Sequence, residues 1–365
     1  MKMTKQGTSR AKVSVAQPPQ DEVLTTLAST SQRNQALEVS ERLLELRNWL
    51  ADDLSELEQD LGQVVQDPGH DLAWRAVEHL LHKAGKRVRP ICALLAARIG
   101  NRPFDRAVKD IAIAAELVHS ATLLHDDVID LGEERRGHPT ARMIYGNSAS
   151  VLGGDHLLVD ALRRVNAANN ELVNSLLDVI SHMVHAEALQ LEMRNTFRPD
   201  RDLYQEVVHG KTAALFQWAL TAGGLLGGLS HTEVNHLSDV GLNLGMTFQL
   251  VDDKLDLCGD PKQTGKDTCL DLREGKLTWP MILAAERSPE LLLSLRQYAS
   301  SSNEPTQADA AALVESIAAT GALEDTQKRA AEYAEAALRS LSKLPHGEAR
   351  AALQAVIHTA LQRTR

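Results

Sequence analysis

Apolar positions in this chain recur at three- and four-residue steps almost throughout. Between residues 35 and 65, Leu37, Leu43, Leu44, Leu46, Trp49, Leu50, Leu54, Leu57 and Leu61 keep that step, with acids and arginines between them. This spacing predicts an amphipathic helix. Asp67-Pro68-Gly69 ends it, and a second helix is predicted over 72–82. The same pattern predicts helices over 91–99, 104–130, 149–165, 172–193 and 237–256, and one around 210–226. Gly100 to Pro103, Tyr145-Gly146-Asn147 and Pro199-Asp200 separate them. From Trp279 onward the chain is again helical and Ala-rich, with a polar break near Ser300 to Pro305. No stretch alternates with a period of two, so the expected fold is all-α. Residues 1–35 are rich in Ser, Thr, Gln and Lys around Pro18-Pro19. They read as a disordered N-terminal arm ahead of one large helical domain over 36–365.

Two of the apolar runs end in carboxylates. The first, from Ile111, leads into Asp126, Asp127 and Asp130. The second, Met246 to Val251, leads into Asp252, Asp253 and Asp256. On a helix the first and last acid of each triad stand one turn apart on one face. Three like charges so close repel one another, and a divalent cation is the natural relief. Oxygen-only ligands suit Mg²⁺ better than zinc. Two such helices suggest two walls of one cavity, apolar below and metal-loaded at its mouth.

Cations are grouped as well. Gly85-Lys86-Arg87-Val88-Arg89-Pro90 precedes a helix, and reads either as an anion site at a helix N-terminus or as a solvated basic loop. Arg135 and Arg136 could each fork onto a phosphate, or could answer Glu133 and Glu134 on the surface. Lys211-Thr212 puts a cation and a hydroxyl at the rim of packed helices. His119, seven residues before Asp126, lies on the same face; His125 points elsewhere and reads as structural. Gly153-Gly154-Asp155 suggests a close helix contact and a buried acid. The polar, Gly-bearing loop from Cys258 to Asp267 reads as a lid, with Lys266 and Lys276 able to close over the second triad.

The composition fits a globular protein built from aliphatic residues: 43% hydrophobic, 24% charged and only 3% aromatic among 365 residues. A formal net charge of −10 argues against nucleic acid as a partner. Cys92, Cys258 and Cys269 are too few for a disulfide framework and fit a reducing, cytoplasmic setting. No stretch has the length of an uncharged membrane span. No Walker glycine loop or Ser-His-Asp spacing is present, so the phosphates would not belong to a nucleotide being hydrolysed. Mg²⁺, basic side chains and apolar walls together point to a phosphate carrying a hydrocarbon.

On these motifs the chain resembles the trans-isoprenyl diphosphate synthases, the polyprenyl synthetase family. Asp126-Asp127-Val128-Ile129-Asp130 and Asp252-Asp253-Lys254-Leu255-Asp256 match its two aspartate-rich motifs. The Gly85–Pro90 stretch, Arg135-Arg136-Gly137, Lys211-Thr212, Phe248-Gln249 and Gly265-Lys266 follow in the family order. Ala84 departs from the glycine that many members carry there. The resemblance implies a single helical bundle of the isoprenoid synthase type I fold, working as a homodimer with Mg²⁺, about three ions per active site. It implies that Asp126, Asp130 and Asp252 hold the metal, with Asp127, Asp253, Asp256 and Lys211 also in the catalytic set. Arg135, Lys211, Thr212, Gln249 and Lys266 would bind the allylic diphosphate. Lys86, Arg89, His119 and Arg136 would bind isopentenyl diphosphate. The activity implied is head-to-tail, all-trans condensation of these two substrates into a polyprenyl diphosphate.

For product length, Ala121 and Thr122, five and four residues before Asp126, leave the cavity floor without an aromatic plug, and this stretch resembles the octaprenyl type. Trp218, two turns beyond Lys211, could instead shorten the cavity. The expected product is medium or long, with a geranylgeranyl or farnesyl product as the alternative. A class I terpene cyclase would carry a different second metal motif and more aromatics, and a non-catalytic partner subunit would lack an acidic triad.

Overall fold

The computed structural model describes residues 37–66, 71–82, 85–135, 137–258, 269–300 and 306–363. The expected arm over 1–35, and with it Arg136 and Lys266, lies outside the described residues. The fold is all-α, as the sequence predicts. Among the described residues the α-helices run α1 (Leu37–Gln66), α2 (Leu72–Leu81), α3 (Val88–Ile99), α4 (Arg106–Ile129), α5 (Ala141–Tyr145), α6 (Asn147–Ala168), α7 (Leu172–Met193), α8 (Arg201–Val208), α9 (Ala214–Leu226), α10 (His231–Cys258), α11 (Leu270–Arg273), α12 (Trp279–Arg287), α13 (Pro289–Ala299), α14 (Gln307–Ala319), α15 (Ala322–Leu341) and α16 (Glu348–Gln362). A five-residue π-helix, His209–Ala213, joins α8 to α9. The strands among the described residues, β1 (Glu134–Arg135) and β2 (His138–Pro139), form a two-residue antiparallel clip.

Local chemistry sets the helix ends. Asp71, Asp105 and Asp200 each accept a hydrogen bond from a backbone N–H three residues on, so α2, α4 and α8 start on side-chain caps. Helix α4 packs along α6, and α10 packs against both α9 and α15. The paired glycines of α6 make the first contact close: a Cβ on Gly154 would lie 2.2 Å from the His125 ring. The neighbouring Asp155 is exposed, not buried as the sequence suggested, and lies 3.5 Å from His125. Glycine gives closeness on one side of α6, while the next residue, a helical step away, faces out.

Helix α10 divides the core. Leu237, Val240 and Leu244 belong to one apolar cluster with α3, α4 and α9. Met246, Leu250, Val251 and Leu257 belong to a second with α12, α13 and α15. The acidic triads close α4 and α10 at their C-terminal ends, where each helix leaves the apolar packing.

Candidate active site

The first triad divides its three acids between two tasks. Asp126 and Asp130 share a face, while Asp127, one residue on, turns into the packing and is only 3% exposed. Arg135, on β1, donates from Nε and Nη2 to Asp127 Oδ1 at 3.0 and 2.8 Å. Among the described residues the ion pair of Arg135 is with Asp127, not with Glu133 or Glu134, and it ties down the loop that follows α4. The clip of β1 and β2 gives Arg135 its position, since Arg135 pairs with His138.

Asp126 lies 3.8 Å from Lys211 Nζ. Burial pushes its carboxyl up to about 6, Lys211 opposes that shift, and the charges of Glu187 and Asp130 add to it. Asp130 is held by two cations. Lys276 donates to Oδ2 at 2.9 Å and Arg194, the C-cap of α7, donates to Oδ1. Against burial, these cations keep the Asp130 carboxyl below its ordinary value. Lys276 also pairs with Glu274 at 2.6 Å. The sequence placed Lys276 over the second triad; the structure puts it on the first, because the turn at Gly275 returns to Asn195 through a 3.0 Å backbone bond. A pocket between the end of α7, α8 and this turn opens beside the pair, lined by Gln190, Arg194, Phe197, Tyr204 and Lys276.

The second triad divides in the same way. Asp253 is 1% exposed. It accepts hydrogen bonds from Tyr204 Oη, from Gln249 Nε2 at 2.9 Å and from the Trp279 amide at 3.2 Å. Burial and the charge of Asp271 push it up to about 7, and these donors oppose the shift. Thr212 Oγ1 donates to Gln249 Oε1 at 2.9 Å, so a polar chain runs from the π-helix through Gln249 to Asp253. Asp253 thus anchors Gln249 and does not face the opposite wall. Asp256 accepts from the Leu270 amide at 3.0 Å, and burial followed by Asp271 raises it. Its Oδ2 is buried with no hydrogen-bond partner. Asp252 is paired with Arg363, just past α16. The Arg363 guanidinium stacks 4.0 Å from the Phe248 ring centroid, and burial lowers its pKa to about 10.

Of the basic stretch before α3, Arg87 serves the fold. It adopts a left-handed backbone (φ +43°) and donates to Glu116 at 2.6 Å and to Glu58 at 2.9 Å. Arg89 is different. Its guanidinium lies 4.5 Å from the Phe216 ring centroid, its buried Nε has no hydrogen-bond partner, and burial lowers its pKa to about 10. Lys86, three residues before Arg89, is half-buried, and so is His119 on α4. The Phe216 and Phe248 rings lie tilted to each other with centroids 5.6 Å apart, which links the Arg89 side of the site to Asp252.

Ala121 is fully buried, and Thr122 donates back to the His119 carbonyl at 2.8 Å. Trp218 is buried on α9 with its indole N–H on Ser175 at 3.1 Å, a bond that fixes the ring against α7. Glu187, Gln190, Arg194 and Arg363 escaped the sequence reading. Glu187, Gln190 and Arg194 recur at three- and four-residue steps on α7, which is the signal that could have found them.

The donors suit Mg²⁺: carboxylate oxygens only, with buried acceptors left open on Asp256 and Glu187. Among the described residues no three such ligands are preassembled. Their oxygens instead hold lysine and arginine.

The model of the polyprenyl synthetase family matches residues 70–317. The octaprenyl diphosphate synthase of Escherichia coli is 38% identical over 297 residues, 79% of this chain and 88% of that protein. Component 2 of the heptaprenyl diphosphate synthase of Geobacillus stearothermophilus is 34% identical over 316 residues, 86% and 96% of the two chains. Among solved structures, a polyprenyl synthase from Caulobacter crescentus, complexed with calcium and isoprenyl diphosphate, superposes with a TM-score of 0.81 at 33% identity, covering 89% of this chain and 98% of the other.

Proposed function

Because this chain belongs to the polyprenyl synthetase family, we infer that it is a prenyltransferase that condenses isopentenyl diphosphate with an allylic diphosphate to make a medium- or long-chain polyprenyl diphosphate. The observation that carries the reading is the pair of aspartate triads at the ends of α4 and α10, with Lys211 and Lys276 against the first. That is a site for phosphate oxygens above apolar helices.

Asp126, Asp130 and Asp252 would hold Mg²⁺, which supplies positive charge to the departing diphosphate. Lys211 holds the allylic diphosphate from the opposite helix. Arg89, kept charged against a dry surround, offers its open Nε to the diphosphate of the second substrate, with Lys86 and His119 alongside. Arg136 and Lys266 belong to the two diphosphate sets on motif position alone. Thr212 and Gln249 are locked by their mutual bond and line the reacting carbons. The apolar face of α4 above Ala121 receives the growing chain and keeps water from the allylic cation. The proton lost at the end goes to the departing diphosphate.

The protein works as a homodimer in this reading. Leu177, Val184 and Leu191 form an exposed stripe at seven-residue steps along α7, and Val151, Leu152 and Val159 are exposed on α6. An unpaired apolar face of that extent suits a second copy. No helix among the described residues is long and apolar enough to cross a membrane. A reducing, cytoplasmic setting is consistent with three cysteines that form no disulfide.

The test is incubation of purified protein with Mg²⁺, labelled isopentenyl diphosphate and farnesyl diphosphate, followed by separation of the dephosphorylated products by length. A ladder running past geranylgeranyl into the octaprenyl range is expected. A stop at geranylgeranyl overturns the length assignment and makes Trp218 the first residue to replace. No condensation with any allylic primer overturns the reaction itself.

A further inference from the structure

Lys211 sits in an unusual segment. A π-helix widens the turn and carries one residue outward, a device frequent at functional sites. Two glycines allow it to be wedged between helices. A Cβ on Gly210 would lie 2.6 Å from Ala186 Cβ and 2.8 Å from the His182 carbonyl of α7. A Cβ on Gly245 of α10 would lie 2.4 Å from Ala213 Cα. The π-helix is therefore pressed against α7, and the residue next to Gly210 is Lys211.

An ammonium has three donors and no acceptor. Two of the three are taken by α7: Nζ donates to Glu187 Oε2 and, at 3.0 Å, to Gln190 Oε1. These acceptors are three residues apart, one face of one helix. The nearest remaining anion is Asp126, at 3.8 Å, longer than a hydrogen bond. The third donor is thus left toward the first triad, with no further acceptor in hydrogen-bond range among the described residues. Glu187 itself is mostly buried, and its Oε1 has no hydrogen-bond partner. A long, flexible side chain fixed at two points loses less entropy on gripping a ligand with its third.

We propose that Glu187 is a positioning residue: it holds the Lys211 ammonium so that its open N–H meets the allylic diphosphate. The inference rests on the reading of Lys211 as an allylic-diphosphate contact. Glu187 touches no substrate and acts through Lys211. What it contributes is the acceptor geometry, not its negative charge, since a carboxylate near a phosphate is otherwise repulsive.

The test compares wild type with Glu187→Ala, Glu187→Asp, Glu187→Gln, Lys211→Ala and the Glu187→Ala/Lys211→Ala double variant. It reads KM for each substrate separately, together with the Kd of inorganic pyrophosphate with Mg²⁺ by calorimetry. Glu187→Ala should raise the allylic KM and the pyrophosphate Kd about tenfold, the scale of one charge-assisted hydrogen bond, with the isopentenyl KM within about twofold. Glu187→Asp, which keeps the charge but withdraws the carboxylate, should show part of that rise even if the alanine variant folds poorly. Glu187→Gln, which keeps an acceptor, should stay within about threefold of wild type. The double variant should be no worse than Lys211→Ala.

Glu187 variants that leave the allylic KM and the pyrophosphate Kd at wild-type values, while Lys211→Ala raises both, overturn the positioning role alone. Equal shifts in both substrates' KM, or a glutamine variant as impaired as the alanine one, overturn it too. A Lys211→Ala variant with neither quantity changed overturns the assignment of Lys211 underneath.

Discussion

Arg194 and Lys276 both reach Asp130, and neither is near it in sequence. They hold a carboxylate that the triad pattern assigns to metal, so any ion entering there competes with two fixed cations. Glutamine at 194 removes one competitor. Arg194→Gln should lower the Mg²⁺ concentration for half-maximal condensation about fivefold, the scale of a partly buried ion pair. Mn²⁺ binding followed by electron paramagnetic resonance should move the same way; unchanged binding rejects the competition. That Asp126 and Asp130 share a face was legible in the sequence, because helical spacing alone puts residues one turn apart on one side. Their cations were not, since a salt bridge between α4 and the turn at Gly275 leaves no local pattern. The inward turn of Asp127 and Asp253 follows from the same spacing, one residue out of phase, once the packed side of each helix is known.

Helix α10 starts at His231, ahead of the predicted residue 237, but α7 was legible to its ends, since it begins and stops where the apolar step begins and stops. The π-helix was not, because its cause is a contact with another element. Gly210→Ala tests that cause: the added methyl must part the segment from α7. The change should cost about 1–3 kcal/mol in thermal or urea unfolding and raise the allylic KM, because Lys211 moves with the segment. Full stability in the variant removes the wedge argument. A second element-scale device is Arg87, which joins the start of α3 to Glu58 on α1 and Glu116 on α4. Arg87→Met strands the buried Glu116 and should cost about 3 kcal/mol, read by the same unfolding curves. An arginine in the middle of a basic motif looked available for ligands, and only the fold shows that two acids from other helices had claimed it.

At the scale of the molecule, composition fixed the class: few aromatics, no alternation, helices throughout. The apolar stripes on α6 and α7 were hidden because exposure is set by what the rest of the bundle leaves uncovered. Val184 is 65% exposed in the middle of its stripe. Val184→Glu should convert the protein to monomer in analytical ultracentrifugation, while wild type sediments as a dimer; a monomeric wild type ends the homodimer reading. Helix α7 has a further property. Glu187, Gln190 and Arg194 lie on one of its faces and Leu177, Val184 and Leu191 on the neighbouring one. In the homodimer reading, self-association and ligand capture then share one rigid rod, and by thermodynamic linkage any effect of one on the other is returned in equal measure. Specific activity should fall as the protein is diluted below its dimer dissociation constant. Magnesium pyrophosphate should lower that constant, so that the concentration of the protein itself tunes its output.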